Sequence, residues 1–412
     1  MALPLAAPRP PQSRHWLTED RIRVYSWIMV AVFGIGFAAM IVRSLPDLVD
    51  PQGKPFGYDF MAFWSAARLA LAGHPTAVFD GAALSAVQHA AVPAQPAIWF
   101  PWHYPPTYLL AVLPLGLVPY PVALAAFMAG TTLLWLAFVR RLLPDPRAWV
   151  VAAAAPAGLL NLLDGQNAFL TAALAGFAVL WLDRKPRRAG VLIGLLAIKP
   201  HLAVLLPVAL VAGGYWRSIA AAAATVVIFL ALSVAVLGTG TMIGFVDHLA
   251  VSQAMADRGA VPWQWMPSPY VLALSLRAPA SVAALAQAVA ALGAGVCVWR
   301  AWRTPAAPFE AKAAVLFAAS MLVSPYMFTY DLVWDVAAIG FLAVLGLRAG
   351  FRRGERDILF AVWLAPLAFI PLYWLSGVQF GCLTTVALLA AAVRRAVPAK
   401  AARAACGPTS PA

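Results

Sequence analysis

The chain has 412 residues, 63% of them hydrophobic and 11% charged, with a formal net charge of +13. That much apolar surface exceeds what a soluble domain buries, so lipid is the expected solvent for most of it. The basic residues lie in short connections between apolar runs, which points to membrane topology and argues against a nucleic-acid partner.

In chain order, residues 1–23 are rich in Pro and Arg and form an expected cytoplasmic tail. The apolar run 24–45 follows; behind so long a basic leader it suits a retained signal anchor better than a cleaved signal peptide. Further apolar spans are predicted at 107–139, 148–161, 167–182, 188–198, 201–213, 217–237, 280–299, 312–324, 331–347, 358–375 and 379–393. The expectation is an all-α polytopic membrane domain over 24–395 with about 12 transmembrane helices, closed by a cytoplasmic tail over 396–412. Several spans are too short to cross alone, and Pro156, Pro200 and Pro207 interrupt them. Broken backbone at membrane depth is tolerated where it is buried or lines a wet cavity. The breaks at 161–167 and 199–201 therefore mark an expected cavity. Span 107–139 is too long, and Pro114 and Pro119 predict a kink or a split.

Two connections are long. In 46–106, Phe60, Phe63, Trp64, Ala67 and Leu71 recur at helical spacing with Arg68 off the stripe, which predicts an interfacial helix. A second short helix is expected from Asp80 to Ala91. The connection 238–279 is rich in Trp and Pro, and its Trp263 and Trp265 suit an aromatic belt.

These spans sort the charges. One set of connections holds 23 of the 29 basic residues; the other holds only Arg43, Lys54, Arg68, Lys199, Arg258 and Arg277. The basic-rich side is cytoplasmic by the positive-inside rule, which puts both termini there. Every polar cluster suited to chemistry then falls on the opposite face.

Asp59 precedes the expected interfacial helix. It suits a helix N-cap, and it equally suits a general base for an acceptor hydroxyl. His103-Tyr104-Pro105-Pro106 opens the second span, where Pro and Tyr are ordinary. Asp164-Gly165 reads as a tight turn, while Gln166 and Asn167 add amides suited to sugar hydroxyls. Lys199-Pro200-His201 lies between two short apolar runs. A lysine there either snorkels to the interface or forms a cationic site for a phosphate, with His201 adding a hydrogen bond; intramembrane charge favours the functional reading. Tyr326, Tyr330 and Asp331 form the last cluster. Asp331 could cap the next span, whereas Asp335, one turn on, needs a partner, with Lys199 and Arg277 as candidates. Asp247-His248 and Asp257-Arg258 are expected to be solvated. Cys297, Cys382 and Cys406 show neither metal spacing nor a disulfide pattern, and no cofactor is expected.

In this order the clusters resemble glycosyltransferase family 87, polytopic GT-C enzymes similar to bacterial polyprenyl-phosphate-mannose-dependent mannosyltransferases. The residues carrying the resemblance are Asp59-Phe60 with Phe63-Trp64, the run from Ala66 to Pro75, and Val78-Phe79-Asp80. Tyr104-Pro105-Pro106, Gly165-Gln166-Asn167, Lys199-Pro200-His201, Ser324-Pro325-Tyr326 and Tyr330-Asp331 continue it. The resemblance implies a GT-C fold in the bacterial cytoplasmic membrane. It implies a hexosyltransferase with its site on the extracytoplasmic face, a polyprenyl-phosphate-linked sugar donor, a lipid or glycan acceptor, and inversion at the sugar carbon. The acid of the first external loop, expected to be the catalytic base, maps onto Asp59; Lys199 and His201 match the position expected to meet the donor phosphate. His103, Tyr104, Gln166, Asn167, Tyr326, Tyr330 and Asp331 are the remaining candidates for substrate contact. A transporter or lipid flippase is the first alternative, since broken helices and intramembrane charge suit transport too. Against it stand the absence of visible inverted halves and the crowding of polar residues on one face. A non-catalytic scaffold is the second; it leaves Lys199 and Asp335 costly without purpose.

Overall fold

The computed structural model describes residues 15–45, 47–94, 100–257 and 261–397. The start of the N-terminal tail, the tail beyond 397 with Cys406, and Arg258 lie outside them. Among the described residues every regular element is helical, apart from an isolated antiparallel bridge between Val49 and Pro55.

Among the described residues, five helices are long and apolar enough to cross a membrane: Glu19–Ser44, Tyr120–Leu142, Trp216–Leu237, Ala280–Arg303 and Thr329–Ala349. Glu355–Leu364 and Pro366–Ser376 make a sixth span if counted together, bent by 69° at the break before Pro366. The count of about 12 crossings is not confirmed by these helices, and proline divides several of the predicted spans into shorter pieces. Pro114 inserts a 3-10 turn, Leu113–Leu117, between Pro106–Val112 and Tyr120–Leu142, so the overlong span does split. Pro156 opens a new helix, Pro156–Leu163, after Pro146–Ala153. Pro200 starts a single turn before Leu205–Gly213. Ala168–Trp181, with 14 residues, is short of the roughly 20 residues that a crossing takes.

The short helices are buried instead. Phe309–Ser320 is alanine-rich and nearly encased by the main core, which it shares with Ala168–Trp181, Thr329–Ala349 and Gly381–Ala396. Small side chains let these backbones approach closely, as suits helix packing in lipid. The same device joins Pro186–Leu195 to Trp216–Leu237: a Cβ on Gly190 would lie 2.4 Å from the Ser218 carbonyl, and one on Gly194 2.5 Å from Thr225 Cβ. Two glycines four residues apart meet partners seven residues apart in the same chain direction, so the helices run parallel. By contrast, Glu19–Ser44 is an apolar rod exposed along most of its length, and Trp216–Leu237, packed on one side, exposes apolar residues such as Val227, Ile228 and Val236 that suit lipid.

The first long connection departs from expectation. Phe60–Leu71 is buried on nearly all sides, with Arg68 and the terminal Leu71 exposed, so it is largely enclosed by protein. Ala62, Ser65 and Ala66, off the predicted stripe, are buried as well, and on the stripe a Cβ on Gly116 would touch the Ala67 backbone at 3.0 Å. Gly81–Ala91 follows, with the Asp80 carboxylate capping Ala82 and Ala83 N–H. Buried Gln88 bonds both the N–H and the carbonyl of Phe100 and reaches Ser65 Oγ, pinning the two halves of the connection together. In the second connection, Thr239–Asp257 forms a helix that the composition did not suggest.

Charge is sorted along the helices. Arg140 and Arg141 end one long helix, Arg300 and Arg303 another, and Arg348 a third, while Arg217 starts Trp216–Leu237. Arg147–Glu19, Arg348–Glu310 and Tyr215–Asp183 contacts gather these ends. Asp331 sits at the opposite end of the Arg348 helix, roughly 25 Å away at 1.5 Å per residue.

Candidate functional site

The site is built at helix ends, beginning with the loop before Asp59. Asp50 folds this loop: one carboxylate oxygen accepts from the N–H groups of Gln52 and Lys54, and the other accepts from the Tyr58 hydroxyl. The Tyr120 hydroxyl holds the Phe56 carbonyl. Gly57 (φ +88°) and Tyr58 (φ +30°) then turn through positive φ, a conformation that is costly for tyrosine. The result is that Asp59 enters the helix already in helical conformation, and its side chain makes no cap hydrogen bond. Its N–H donates to the Asp164 carbonyl at 3.0 Å.

The carboxylate instead accepts a hydrogen bond from Gln166 Nε2 at 2.7 Å. Gln166 Oε1 accepts from the Tyr104 hydroxyl at 3.1 Å and from the Asn167 N–H at 3.2 Å. Two donors at Oε1 fix the amide orientation, so Nε2 must face Asp59. Gly165 makes this approach possible. It has φ +61°, and a Cβ there would lie 2.6 Å from both the Gly57 carbonyl and Phe60 Cβ.

Behind Asp59 lies the charged core of the site. Lys199 is 3% exposed and donates to Asp331 Oδ1 at 2.7 Å and to Asn167 Oδ1 at 3.4 Å. Its ammonium also sits 4.9 Å over the Tyr330 ring. It therefore does not snorkel, and Asp331 is an ion-pair partner, not a helix cap. Asp335 Oδ2 accepts from Thr385 Oγ1 at 2.6 Å, while its Oδ1 is buried without a hydrogen-bond partner among the described residues; neither Lys199 nor Arg277 reaches it, and Arg277 is exposed. Asp331 Oδ2 and His201 Nε2 are buried without hydrogen-bond partners among the described residues.

Burial lifts the Asp59 pKa above the usual carboxylate range, opposed by the Gln166 hydrogen bond and the Lys199 charge. Asp164 is lifted well above that range too, by burial and then by the nearby Asp59 charge. The wall around Asp59 is aromatic: Phe63 meets Tyr104 at 5.2 Å and Tyr108 at 5.0 Å, edge to face.

The structure thus brings Asp59, Tyr104, Gln166, Asn167, Lys199, Tyr330 and Asp331 into one connected cluster. His201 lies two residues from Lys199, with its Nε2 buried. His103 lies beside the cluster in sequence but stacks on His248 at 5.4 Å, so His248 belongs to a packed pair between the two long connections and is not simply solvated. Tyr326 packs in a separate group with Met266 and Tyr270. Asp50 and Asp164 take part in the geometry and were missed as site residues; Asp-Pro-Gln-Gly at 50–53 and Asp-Gly at 164–165 carry turn signals, and buried charge beside a turn leaves no mark in sequence. An apolar cavity of about 270 Å³, lined by Leu17, Trp135, Val336 and Trp363 among others, lies apart from this cluster and contains none of its residues.

Long apolar helices and a buried set of carboxylates, amides and one lysine at their ends define a polytopic membrane protein with an enclosed polar site. Residues 102–325, more than half of the sequence, match glycosyltransferase family 87, and the chain belongs to that family of membrane glycosyltransferases. The matched region holds Tyr104, Gln166, Asn167 and Lys199, while Asp59 and Asp331 lie outside it. No curated protein and no solved structure matches the chain.

Proposed function

We propose that this protein transfers a hexose from a polyprenyl-phosphate donor to a hydroxyl of a lipid or envelope-glycan acceptor, with inversion at the sugar carbon. By family resemblance the hexose is mannose. The site faces the extracytoplasmic side of the bacterial cytoplasmic membrane, with both termini in the cytoplasm. The observation that carries the reading is the Asp59 carboxylate: it is turned away from the helix it precedes and held by Gln166 next to the Lys199–Asp331 pair.

Asp59 is half-buried and accessible, while Lys199 and Asp331 lie behind it. Asp59 takes the proton of the acceptor hydroxyl as that oxygen bonds to the anomeric carbon. The bond from that carbon to the phosphate oxygen breaks, and the lipid phosphate leaves with the electron pair. Lys199 stabilises the charge that develops there, in surroundings of low dielectric where one fixed ammonium counts for more than in water. Its third N–H has no protein acceptor among the described residues and serves the phosphate. His201 Nε2 offers a second polar contact, and Gln166 and Asn167 meet sugar or phosphate oxygens. Asp331 keeps Lys199 charged and in place. The aromatic wall of Phe63, Tyr104 and Tyr108 suits a sugar face.

The test is the purified protein offered several polyprenyl-phosphate sugars, with lipid products read by mass spectrometry. Transfer from one of them supports the reading. Turnover of none, together with substrate movement across liposomes, favours a transporter.

A further inference from the structure

We propose that the open hollow lined by Lys185, Arg187, Arg188 and Arg217 is a binding site for the head group of an anionic phospholipid, on the side that the sorted charges assign to the cytoplasm. Three arginines elsewhere on that side are matched to acids, Arg147 to Glu19 and Asp145, Arg348 to Glu310 and Arg395 to Glu355, while others such as Arg140, Arg141 and Arg300 stand without an ion pair among the described residues but do not converge on one hollow. None of the four cations of the hollow has a carboxylate within 4.0 Å among the described residues. The nearby acid Asp183 is engaged by the Tyr215 hydroxyl. Four positive side chains around one hollow repel one another unless an anion joins them.

Packing forces them together. Gly190 and Gly194 seat Pro186–Leu195 directly on Trp216–Leu237 in parallel, and Ser218 Oγ donates to the Pro186 carbonyl at 2.9 Å. The two chain segments that carry the cations are thereby locked side by side, with both helix N-termini adding partial positive charge.

The surroundings select a lipid over a soluble anion. Trp216, 65% exposed at the first position of its helix, and Trp181, whose ring carries the Lys185 ammonium at 5.4 Å, set the hollow at head-group depth. Farther along the same helix, its exposed side offers Val227, Ile228 and Leu232 to acyl chains. A phosphate over the cations with its chains along this rod satisfies both surfaces of one amphiphile. Juxtamembrane cations each strengthen attachment to anionic lipid.

The test is saturable thermal stabilisation of the full-length protein in neutral detergent by dioctanoyl phosphatidylglycerol. Dioctanoyl phosphatidylcholine and inorganic phosphate are run beside it. Stabilisation by phosphatidylglycerol alone is expected. The triple variant Arg187→Gln, Arg188→Gln, Arg217→Gln weakens apparent affinity on the order of a hundredfold. The equally neutralised control Arg140→Gln, Arg141→Gln, Arg353→Gln leaves it unchanged. Should the triple variant fail to fold, Lys185→Gln alone weakens affinity about fivefold. Equal stabilisation by phosphatidylcholine overturns the proposal, as does equal stabilisation by inorganic phosphate, which marks a free-anion site. Equal loss in the control variant overturns it too, because charge in general then suffices.

Discussion

Gln166 Nε2 donates to Asp59 Oδ2 at 2.7 Å, across the tight contact between the loop ending at Tyr58 and the turn at Gly165. Asp59 stands at the capping position of its helix and yet caps nothing. That bond, with the Tyr104 hydroxyl behind it, gives the carboxylate one direction.

Removing Gln166 therefore acts on the acid–base behaviour of the site. Burial raises the Asp59 pKa and the Gln166 bond opposes the rise. A base works only when deprotonated, so activity falls as pH drops through its pKa. Gln166→Leu takes away a lowering influence, and the acid limb of the kcat/KM profile moves to higher pH. The same variant leaves the Tyr104 hydroxyl unpartnered, at a cost of about 1–3 kcal/mol in stability. The check is a pH–rate profile beside a thermal melt.

Lys199 and Asp331 form a buried pair, and removing one partner strands the other. Lys199→Ala is expected to destabilise by roughly 3–5 kcal/mol and to weaken donor use. The double variant Lys199→Met, Asp331→Leu recovers the stability and not the transfer. If the double variant also recovers transfer, Lys199 has only a structural role.

Gly165→Ala tests the approach of the two loops. The added Cβ meets the Gly57 carbonyl and Phe60 Cβ at 2.6 Å, with φ at +61° besides. No atom of the proposed chemistry is removed, yet transfer is expected to fall at least tenfold, as about 1 Å of displacement suffices for more than that. Unchanged kcat in the alanine variant would show that the loop contact does not set Asp59.

His103 is neutral in the fold down to low pH: burial, then the neighbouring His248, lower its pKa from 6.5 to about 4. Between those values the unfolded chain binds more protons, so stability rises with pH there and is lost as pH falls toward 4. His103→Leu is expected to flatten the slope of melting temperature against pH between about 4 and 6.5. A slope as steep as in the parent protein contradicts the assignment.

Much of this was legible in sequence, and the reasons for the remainder are physical. Pro114 and Pro119 announced the split before Tyr120, since proline removes a donor and blocks the preceding turn. The short helix expected from Asp80 to Ala91 is there as Gly81–Ala91. The count of crossings was not legible, because an alanine-rich helix such as Phe309–Ser320 reads as apolar whether protein or lipid surrounds it. Nor was the enclosure of Phe60–Leu71, whose supposed polar side is alanine and serine. In the site, the residues that meet were visible as separate clusters, but their pairing was not. Asp331 and Asp335 are one turn apart, and only tertiary packing gives Lys199 to the first and Thr385 to the second.

The central claim is that Asp59 is the base. The most direct measurement is sugar transfer by Asp59→Asn, purified beside the parent protein and compared by thermal melt. Asparagine keeps the size of the side chain and can still meet Gln166, while it loses the capacity to take a proton. The account predicts a melting temperature within a few degrees of the parent and transfer reduced at least a thousandfold. Transfer near the parent rate from that folded variant would contradict it.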